Sequence, residues 1–481
     1  MLSLAIARES IINYAYLVAA VMFIVGLMRL SQVKTARQGN LISALGMLVA
    51  TVATLFVITG GQAISLIWIA LALAIGSVVG LMLAIKVPMT GMPQMVALLN
   101  GFGGLASLLV ACGDYATKAG HDALATAPGH MLLATGLTVF VGAITFTGSV
   151  VAFGKLQGGP FWKKWTPGNP VQFPGQKAAI AAGIVLCLLM TGLLTANESW
   201  GWTIILNTLI ALVLGYLLVI GIGGADMPVV ISLLNSYSGI AAAFAGFVLN
   251  NQALIITGAL VGASGIILTQ IMCKAMNRSL MNVLFGGVGV ESGPAAGADG
   301  AAAAGPVKEL TAEDAAIVIE AAQQVVVVPG YGMAVAQAQH ACKELADKLE
   351  AKGIKVLYGI HPVAGRMPGH MNVLLAEANV PYDNLCDLDT INPQFEQTDV
   401  VLVIGANDVT NPAARHAKSS PIYGMPILDV DKARNVIVIK RSLNPGFAGI
   451  ENELYYRPNC SMLFGDAKKA LTELAAAVDA L

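Results

Sequence analysis

The sequence predicts a polytopic α-helical membrane domain of nine spans followed by a soluble, Rossmann-like, doubly wound α/β domain with a parallel sheet. Three observations carry that expectation. Of 481 residues, 56% are hydrophobic and 11% charged, with a mean hydropathy of +0.73, more apolar matter than a soluble core consumes. Apolar stretches of spanning length follow one another from residue 10 to residue 276. Beyond residue 310, short β-branched runs alternate with helical segments over about 170 residues, which suits one doubly wound domain. The boundaries are then 1–285 for the membrane domain, 286–310 for a flexible linker and 311–481 for the soluble domain.

The spans are placed at 10–30, 39–60, 62–86, 91–113, 130–154, 177–196, 201–223, 227–250 and 253–276. With the soluble part cytoplasmic, an odd number of spans puts the N-terminus outside. The inside loops then carry Arg29, Lys34, Arg37, Lys86, Lys155, Lys163, Lys164, Lys177, Lys274 and Arg278, against Arg8 and Lys118 outside. That bias obeys the positive-inside rule and supports nine spans over eight or ten. Ile11 to Leu30 is too long for a cleavable signal, and no small-residue cleavage site follows it. A net charge of −1 argues against nucleic acid as a partner. The six cysteines show no ligand spacing and read as reduced structural residues, so no metal site is expected.

Residues 286–305 are mostly small, with Gly286-Gly287, Ser292-Gly-Pro294 and the run Ala301 to Ala304, and read as a linker. Thr311-Ala-Glu-Asp314 then has the form of a helix start. Val325 to Val328 is an unbroken β-branched run, expected for a strand buried on both faces of a parallel sheet. It leads into Gly330-Tyr-Gly332 and a helical stretch from Ala334 to Leu349. Strand, Gly-x-Gly turn and helix form the dinucleotide-binding arrangement, in which the first glycine permits a tight turn and the second admits a pyrophosphate. The third small position is Ala336, one residue later than the usual spacing. Further strands are expected at Lys355 to Ile360, Val400 to Ile404 and Asn435 to Ile439. Helices are expected at Met371 to Ala378, from Asn411 and at Asp466 to Leu481.

Ligands of open α/β sheets lie outside the carboxyl ends of the strands. The Gly330 turn, His361-Pro-Val-Ala-Gly-Arg366, Gly405-Ala-Asn-Asp408 and Lys440-Arg441 all fall at such ends. The second strand ends in Gly-Ile-His-Pro, without the acid that usually binds the ribose 2′-hydroxyl of NAD. Arg366, Lys440 and Arg441 supply positive charge instead, which suits a 2′-phosphate and favours NADP. Taken alone, Lys440-Arg441 reads equally as a solvated strand end. Asp408 and Asn407 are the candidates for a catalytic role, against the plainer reading of Asp408 as a helix cap. His361, His370 and His416 lack metal spacing and are expected to be hydrogen-bonded loop residues. No Ser-His-Asp, His-Glu-x-x-His or Gly-x-x-x-x-Gly-Lys pattern is present, so a cofactor would supply any chemistry.

The membrane half carries no Asp, Glu, Lys, Arg or His at mid-span; Asp226 and Lys86 lie at cytoplasmic ends and His130 at an outer end. Neutral polar residues do occur at depth: Asn100, Ser107, Thr145, Thr147, Ser149, Asn235, Ser236 and Ser238. For most of them interhelical hydrogen bonding is the better reading. Asn100 and Asn235, each beside small residues, are candidates for a water-lined proton path, with Ser236 next along the helix and Asp226 at its cytoplasmic end. Gly258-x-x-x-Gly262 and Gly101/Gly104 read as close-packing contacts, and the Gly223–Pro228 loop as one that reaches the soluble domain.

Several long motifs then converge: Gly-Gly-Ala-Asp-Met-Pro-Val-Val at 223–230, Leu-Leu-Asn-Ser-Tyr-Ser-Gly at 233–239, Met-Cys-Lys-Ala-Met-Asn-Arg-Ser at 272–279 and Pro-Gly-Tyr-Gly-Met-Ala-Val-Ala-Gln-Ala-Gln at 329–339. With His-Pro-Val-Ala-Gly-Arg-Met-Pro-Gly-His at 361–370, Gly-Ala-Asn-Asp at 405–408 and Lys-Arg-Ser at 440–442, the chain resembles the β subunit of proton-translocating NAD(P) transhydrogenases along nearly its whole length. The resemblance implies hydride transfer between NAD(H) on a partner α subunit and NADP(H) on this chain, coupled to proton movement through the membrane helices. It also implies a dimer of the αβ unit in the bacterial cytoplasmic membrane. The NADP contacts it implies are Gly330, Tyr331, Gly332, Met333, Ala334, Val335 and Ala336; Val363, Ala364, Gly365, Arg366, Met367 and Pro368; Gly405, Ala406, Asn407 and Asp408; Gly424 and Met425; Lys440, Arg441 and Ser442; and Asp466 and Ala467. In such proteins the cofactor lies reversed relative to an ordinary Rossmann site, so the Gly330 turn is expected to cover it differently from the standard cradle.

Two departures from that pattern matter. Asn100 stands where some members carry a histidine taken to be the proton carrier, and Phe447 stands where the family has a tyrosine. The titrating group is therefore expected on a partner helix. The rival reading is a channel or transporter with a cytoplasmic redox-sensing nucleotide domain. It is disfavoured because such sensors carry Gly-x-Gly-x-x-Gly and the ribose-binding acid. A membrane-anchored NADP reductase lacks a general acid beyond Asp408 and the loop histidines.

Overall fold

The computed structural model describes residues 2–30, 32–58, 63–120, 128–285, 306–446 and 448–481. The linker expected at 286–310 lies outside these up to residue 305, as does Phe447. Contacts divide the chain into two compact units, Met1–Gly221 with Val230–Leu268, and Ile222–Val229 with Thr269–Leu481.

Among the described residues nine helices are long and apolar enough to span a membrane. They are α1 (Leu2–Leu30), α2 (Ala36–Ile58), α3 (Ala63–Lys86), α4 (Met92–Gly120), α5 (Gly129–Gln157) and, after the short α6 (Gly159–Trp165), α7 (Gln176–Ala196), α8 (Trp202–Ile220), α9 (Met227–Val248) and α10 (Gln252–Ala275). Because lipid is as apolar as leucine, such helices associate by close packing and by hydrogen bonds between them. Both occur. A Cβ on Gly104 of α4 would lie 2.7 Å from the Gly142 carbonyl of α5, and one on Gly142 would lie 2.6 Å from that of Gly104. Gly258 of α10 meets α9 in the same way, its absent Cβ 2.7 Å from the Gly239 carbonyl. The polar residues supply the cross-links: Asn100 Nδ2 donates to Ile231 O at 3.2 Å, Ser232 Oγ to Gly265 O at 3.2 Å and Ser236 Oγ to Gly262 O at 2.7 Å.

A polar site that sequence reading passed over is Asn207, fully inside α8. Its Nδ2 donates to Gly136 O at 3.1 Å and to Thr191 Oγ1 at 3.3 Å, tying α8 to α5 and α7. An asparagine early in a strongly apolar run of nineteen residues gives no warning of which face it occupies; only the packing of three helices assigns it.

In the second unit, α11 (Leu280–Phe285) follows α10, and the soluble part opens with α12 (Ala312–Glu320). Thr311 caps α12 as a full capping box with Asp314, as its spacing predicts. The sheet comprises β1 (Gln324–Pro329), β2 (Lys355–Ile360), β3 (Leu385–Asp387), β4 (Val400–Ile404), β5 (Asn435–Lys440) and β6 (Cys460–Phe464), all parallel, in the order β3-β2-β1-β4-β5-β6. Six strands replace the four expected. β3 is only three residues long and β6, Cys-Ser-Met-Leu-Phe, has no β-branched residue, so neither carries a strand signature. Alternate residues Val326, Val328, Val401, Val403, Val436 and Val438 pack with Phe395, Leu454 and Tyr455 on one face. The intervening Val325, Val327, Leu402, Ile437 and Ile439 are buried on the other.

The helix expected at Ala334–Leu349 is two: α13 (Tyr331–Val335) and α14 (Gln339–Ala351), broken where Gln337 takes a left-handed φ of 49°. Then come α15 (His370–Glu377), the one-turn α16 (Leu388–Ile391) and α17 (Ala413–His416), and finally α18 (Ala467–Ala480), capped by Asp466. Phe395 is fully buried in the cluster on one face of the sheet, so Phe395→Ala should cost about 3–5 kcal/mol, read as a large drop in the thermal midpoint of the soluble unit with the membrane unit's helicity unchanged.

Candidate functional site

In a sheet ordered 3-2-1-4-5-6 the chain reverses its winding between β1 and β4, and a crevice is expected above their carboxyl ends. Here that place is closed by backbone. The Gly330 N–H donates to Ile404 O at 2.8 Å, prolonging the β1–β4 ladder, and the Gly332 N–H donates to Gly405 O at 2.9 Å. A Cβ on Gly332 would stand 2.6 Å from Gly405 Cα. Gly405 itself turns with φ +63°, a region that costs any other residue strain. The Gly330-x-Gly332 pair thus serves contact between two loops. Both amide hydrogens of this turn, expected to meet a pyrophosphate in the standard cradle, are bonded to protein.

On the β1–β2 side of this contact, Tyr331 opens α13 half-exposed, and the Arg366 guanidinium lies over its ring, Cζ 4.5 Å from the centroid. Burial raises the Tyr331 pKa, and Arg366 opposes that. The His370 ring is 6.5 Å away, and its Nδ1 accepts the Arg366 N–H at 3.1 Å. The 363–368 segment is therefore a bend clasped by His370: Ala364 and Met367 point inward, while Val363, Gly365, Arg366 and Pro368 are partly open. His361 anchors its other end. Nδ1 accepts the Val363 N–H at 3.2 Å, which puts the proton on Nε2 for donation to Pro426 O at 2.7 Å. Burial pushes the His361 pKa down to about 4, with the Pro426 bond opposing. All three histidines singled out are held this way, His416 through Nε2 and Glu453 at 3.0 Å.

On the β4–β5 side the side chains interlock. The Asn407 amide is satisfied with Oδ1 accepting from the Gly446 N–H at 2.6 Å and from Lys440 Nζ at 3.3 Å, and with Nδ2 donating to the Tyr455 hydroxyl at 3.0 Å. Asn452 Nδ2 donates to Asn407 O at 3.0 Å, and Asn411 Nδ2 to Glu451 O at 2.9 Å. Asp408 accepts the Ala448 N–H at 3.0 Å through Oδ2. Lys440 donates to Asn444 O at 2.5 Å and lies 5.0 Å from the Tyr455 ring. Burial lowers its pKa, and the Asp408 charge opposes that. Asn407 thus ties in Gly446, and Asp408 steadies Ala448. Tyr455, Asn411 and Asn452, which complete this web, carry no motif signal; they are found only by what they touch.

The remaining candidates line the same rim. Arg441 is exposed, and Ser442 Oγ accepts the Asn444 N–H at 3.4 Å. The Gly465 N–H donates to Lys440 O at 3.1 Å, setting Asp466 and Ala467 beside the end of β5. Gly424 turns with φ +76°, and a Cβ there would lie 2.5 Å from Asn277 Nδ2, which donates to Tyr423 O at 2.7 Å. Met425 is buried with Ala414, Ile422 and Ile427 under this turn. Gly330, Met333 and Ala334 are buried, Ala336 is partly open and Val335 is exposed.

The membrane candidates are not gathered in one place by direct contact. Asn100 and Ser236 are engaged in the interhelical bonds given above, and Asn235 O accepts from Ser238 Oγ at 2.8 Å. Asp226, mostly buried, is paired with Arg278, whose Nη1 is 2.7 Å from both carboxylate oxygens. Among the described residues no group of three or more His, Cys, Asp or Glu side chains could hold a metal ion.

A family model described as NAD(P) transhydrogenase beta subunit matches residues 12–477. The chain is also similar to the NAD(P) transhydrogenase subunit beta of Rhodospirillum rubrum, 52% identical over 473 residues that cover 98% of this chain and 100% of that relative. The subunit from a named strain of the same species matches equally.

His361 supplies a pH dependence. Its folded pKa lies below the unfolded value of about 6.5, so its contribution is complete above that pH and is lost as pH falls towards 4. Linkage sets the loss at about 1.4 kcal/mol per pH unit. The thermal midpoint should fall between pH 6.5 and pH 4.5 in the wild type, and His361→Asn should flatten that limb.

Proposed function

The chain belongs to the NAD(P) transhydrogenase beta-subunit family, a membrane-embedded component of a transhydrogenase that works with an alpha subunit, and from that premise we propose that its soluble unit holds NADP(H). NAD(H) is carried by the alpha subunit, and hydride passes directly between the two nicotinamides in step with proton movement through the membrane unit. The observation that carries the assignment is the cationic rim, which lacks the acid that usually follows the second strand. No carboxylate follows β2, where His361 stands instead, and Arg366, Lys440 and Arg441 lie at the ends of β2 and β5.

A 2′-phosphate needs that charge, and Lys440 and Arg441 with the Ser442 hydroxyl are assigned to it. Tyr331 and Arg366 form a half-open ledge beside the switch point. The bends at 363–368 and 424–425 flank it, and Asp466 and Ala467 close the β6 end. When bound, NADP supplies the hydride-accepting ring. The chain's own contribution is positioning: Asn407 and Asp408 hold Gly446 and Ala448, and the loop pair at Gly332 and Gly405 keeps both sides of the site in register. Gly330 and Gly332 act through that contact, without offering amide hydrogens to the cofactor.

The reading extends to the membrane. The soluble domain is assigned to the cytoplasmic side of a bacterial inner membrane and the N-terminus to the other side, on the distribution of Lys and Arg. Asn100 and Asn235 solvate a proton path that Asp226 terminates, and the titrating group lies on an alpha-subunit helix. Two αβ units pair as a dimer. Coupling is then a two-state linkage between proton occupancy and the grip on NADP.

Two measurements test this. NADPH should bind the full chain far more tightly than NADH, and Lys440→Ala with Arg441→Ala should cost on the order of a hundredfold in NADPH affinity at ~1.5 kcal/mol per charge-assisted contact, with NADH binding little changed. Equal binding of the two in the wild type overturns the 2′-phosphate assignment. Reconstituted in vesicles without its partner, the chain should move no protons on addition of nucleotides, whereas pumping by the chain alone places the titrating group here.

A further inference from the structure

The connection between α5 and α7, residues 158–175, is not needed for any step above, yet it is built with unusual care. Its short helix α6 is pressed onto α5 at Gly154, where a Cβ would lie 2.5 Å from Trp162 Cε3. Trp162 packs edge-on against Phe153 at 5.3 Å between centroids. Four further ties hold the segment to the end of α8. The Tyr216 hydroxyl donates to Trp165 O at 2.9 Å, the Val171 N–H to Ile220 O at 3.1 Å and Gln176 Nε2 to Leu217 O at 2.9 Å. The buried Lys155 donates from Nζ to Ile220 O at 2.8 Å and to Asn169 O at 3.3 Å.

A connection fastened this firmly presents its outward side chains in fixed positions, and they are the wrong ones for water. Phe161 is 68% exposed, Trp165 57%, Phe173 46% and Val171 39%. Lys163, Lys164 and Lys177 are exposed among them, with Lys164 Nζ 5.7 Å from the Trp165 ring, and no Asp or Glu occurs from residue 123 to residue 197. Aromatic rings with amphipathic edges settle at the boundary between acyl chains and headgroups, and lysines just beyond it attract anionic lipid. We propose that residues 158–177 form a rigid platform that binds anionic phospholipid headgroups, with Phe161, Trp165 and Phe173 seated at the acyl boundary and Lys163, Lys164 and Lys177 on the phosphates.

The uniform absence of acids decides for an anionic headgroup over a zwitterionic one, since a headgroup carrying its own cation gains nothing from three lysines. Spanning length places this segment at the membrane surface whichever side it faces, so the inference does not depend on the orientation assigned above.

The test uses the αβ complex in vesicles of equal phosphatidylcholine and phosphatidylglycerol, with bromine on the acyl chains of one lipid or the other. Fluorescence quenching is read as the difference between wild type and Trp165→Phe, which isolates Trp165 from the other tryptophans. Brominated phosphatidylglycerol should quench that signal severalfold more than brominated phosphatidylcholine. Lys163→Gln, Lys164→Gln and Lys177→Gln together should abolish the preference, while the matching triple arginine variant retains it. Hydride-transfer activity in detergent serves as the folding control for each variant. Equal quenching by the two lipids in the wild type, or a preference that survives the triple glutamine change in an active complex, overturns the proposal.

Discussion

The soluble unit hangs on one contact, the meeting of two loops backbone to backbone where β1 and β4 end. Gly330 and Gly332 spend their amide hydrogens on Ile404 O and Gly405 O, and side chains are excluded because a Cβ on Gly332 would stand 2.6 Å from Gly405 Cα. Everything else on the rim takes its position from this junction. To one side stand Tyr331, Arg366 and the two histidines that clasp the 361–370 bend. To the other stands the web of Asn407, Asn452, Tyr455, Lys440 and Gly446. With the switch point itself filled by protein, the open surface of the rim consists of the side chains and loops around it.

The membrane unit obeys a different constraint. Without a hydrophobic drive between helices in lipid, it relies on glycines that let α4 meet α5 and α9 meet α10, and on neutral amides and hydroxyls that bond across helices. Asn100, Asn207 and Ser236 are spent this way, each on a carbonyl of another helix. The ionic groups are confined to span ends, where Asp226 finds Arg278 and Lys155 caps the carboxyl end of α8.

Most of the fold was legible before any coordinates. Nine spans, the capping box at Thr311, the four strongest strands and the rim position of the candidate loops all follow from hydropathy, charge and turn chemistry. What escaped has physical causes. β3 is too short and β6 too poor in β-branched residues to announce themselves, and the left-handed Gln337 breaks a helix whose composition is continuous. Asn277 at Gly424 and Tyr455 at Asn407 are long-range neighbours whose pairing leaves no local trace in the sequence.

The sequence by itself determined what is periodic or compositional: which stretches span lipid, where the α/β pattern begins, and that the rim is cationic and lacks the ribose-binding acid. It also determined the family, through long motifs. Only the tertiary structure decided how the glycines are used. A Gly-x-Gly after a strand reads identically whether a phosphate or another loop approaches it, because glycine reports only that something comes close. What comes close here is Gly405, more than seventy residues further along the chain, and no local pattern encodes a partner at that separation.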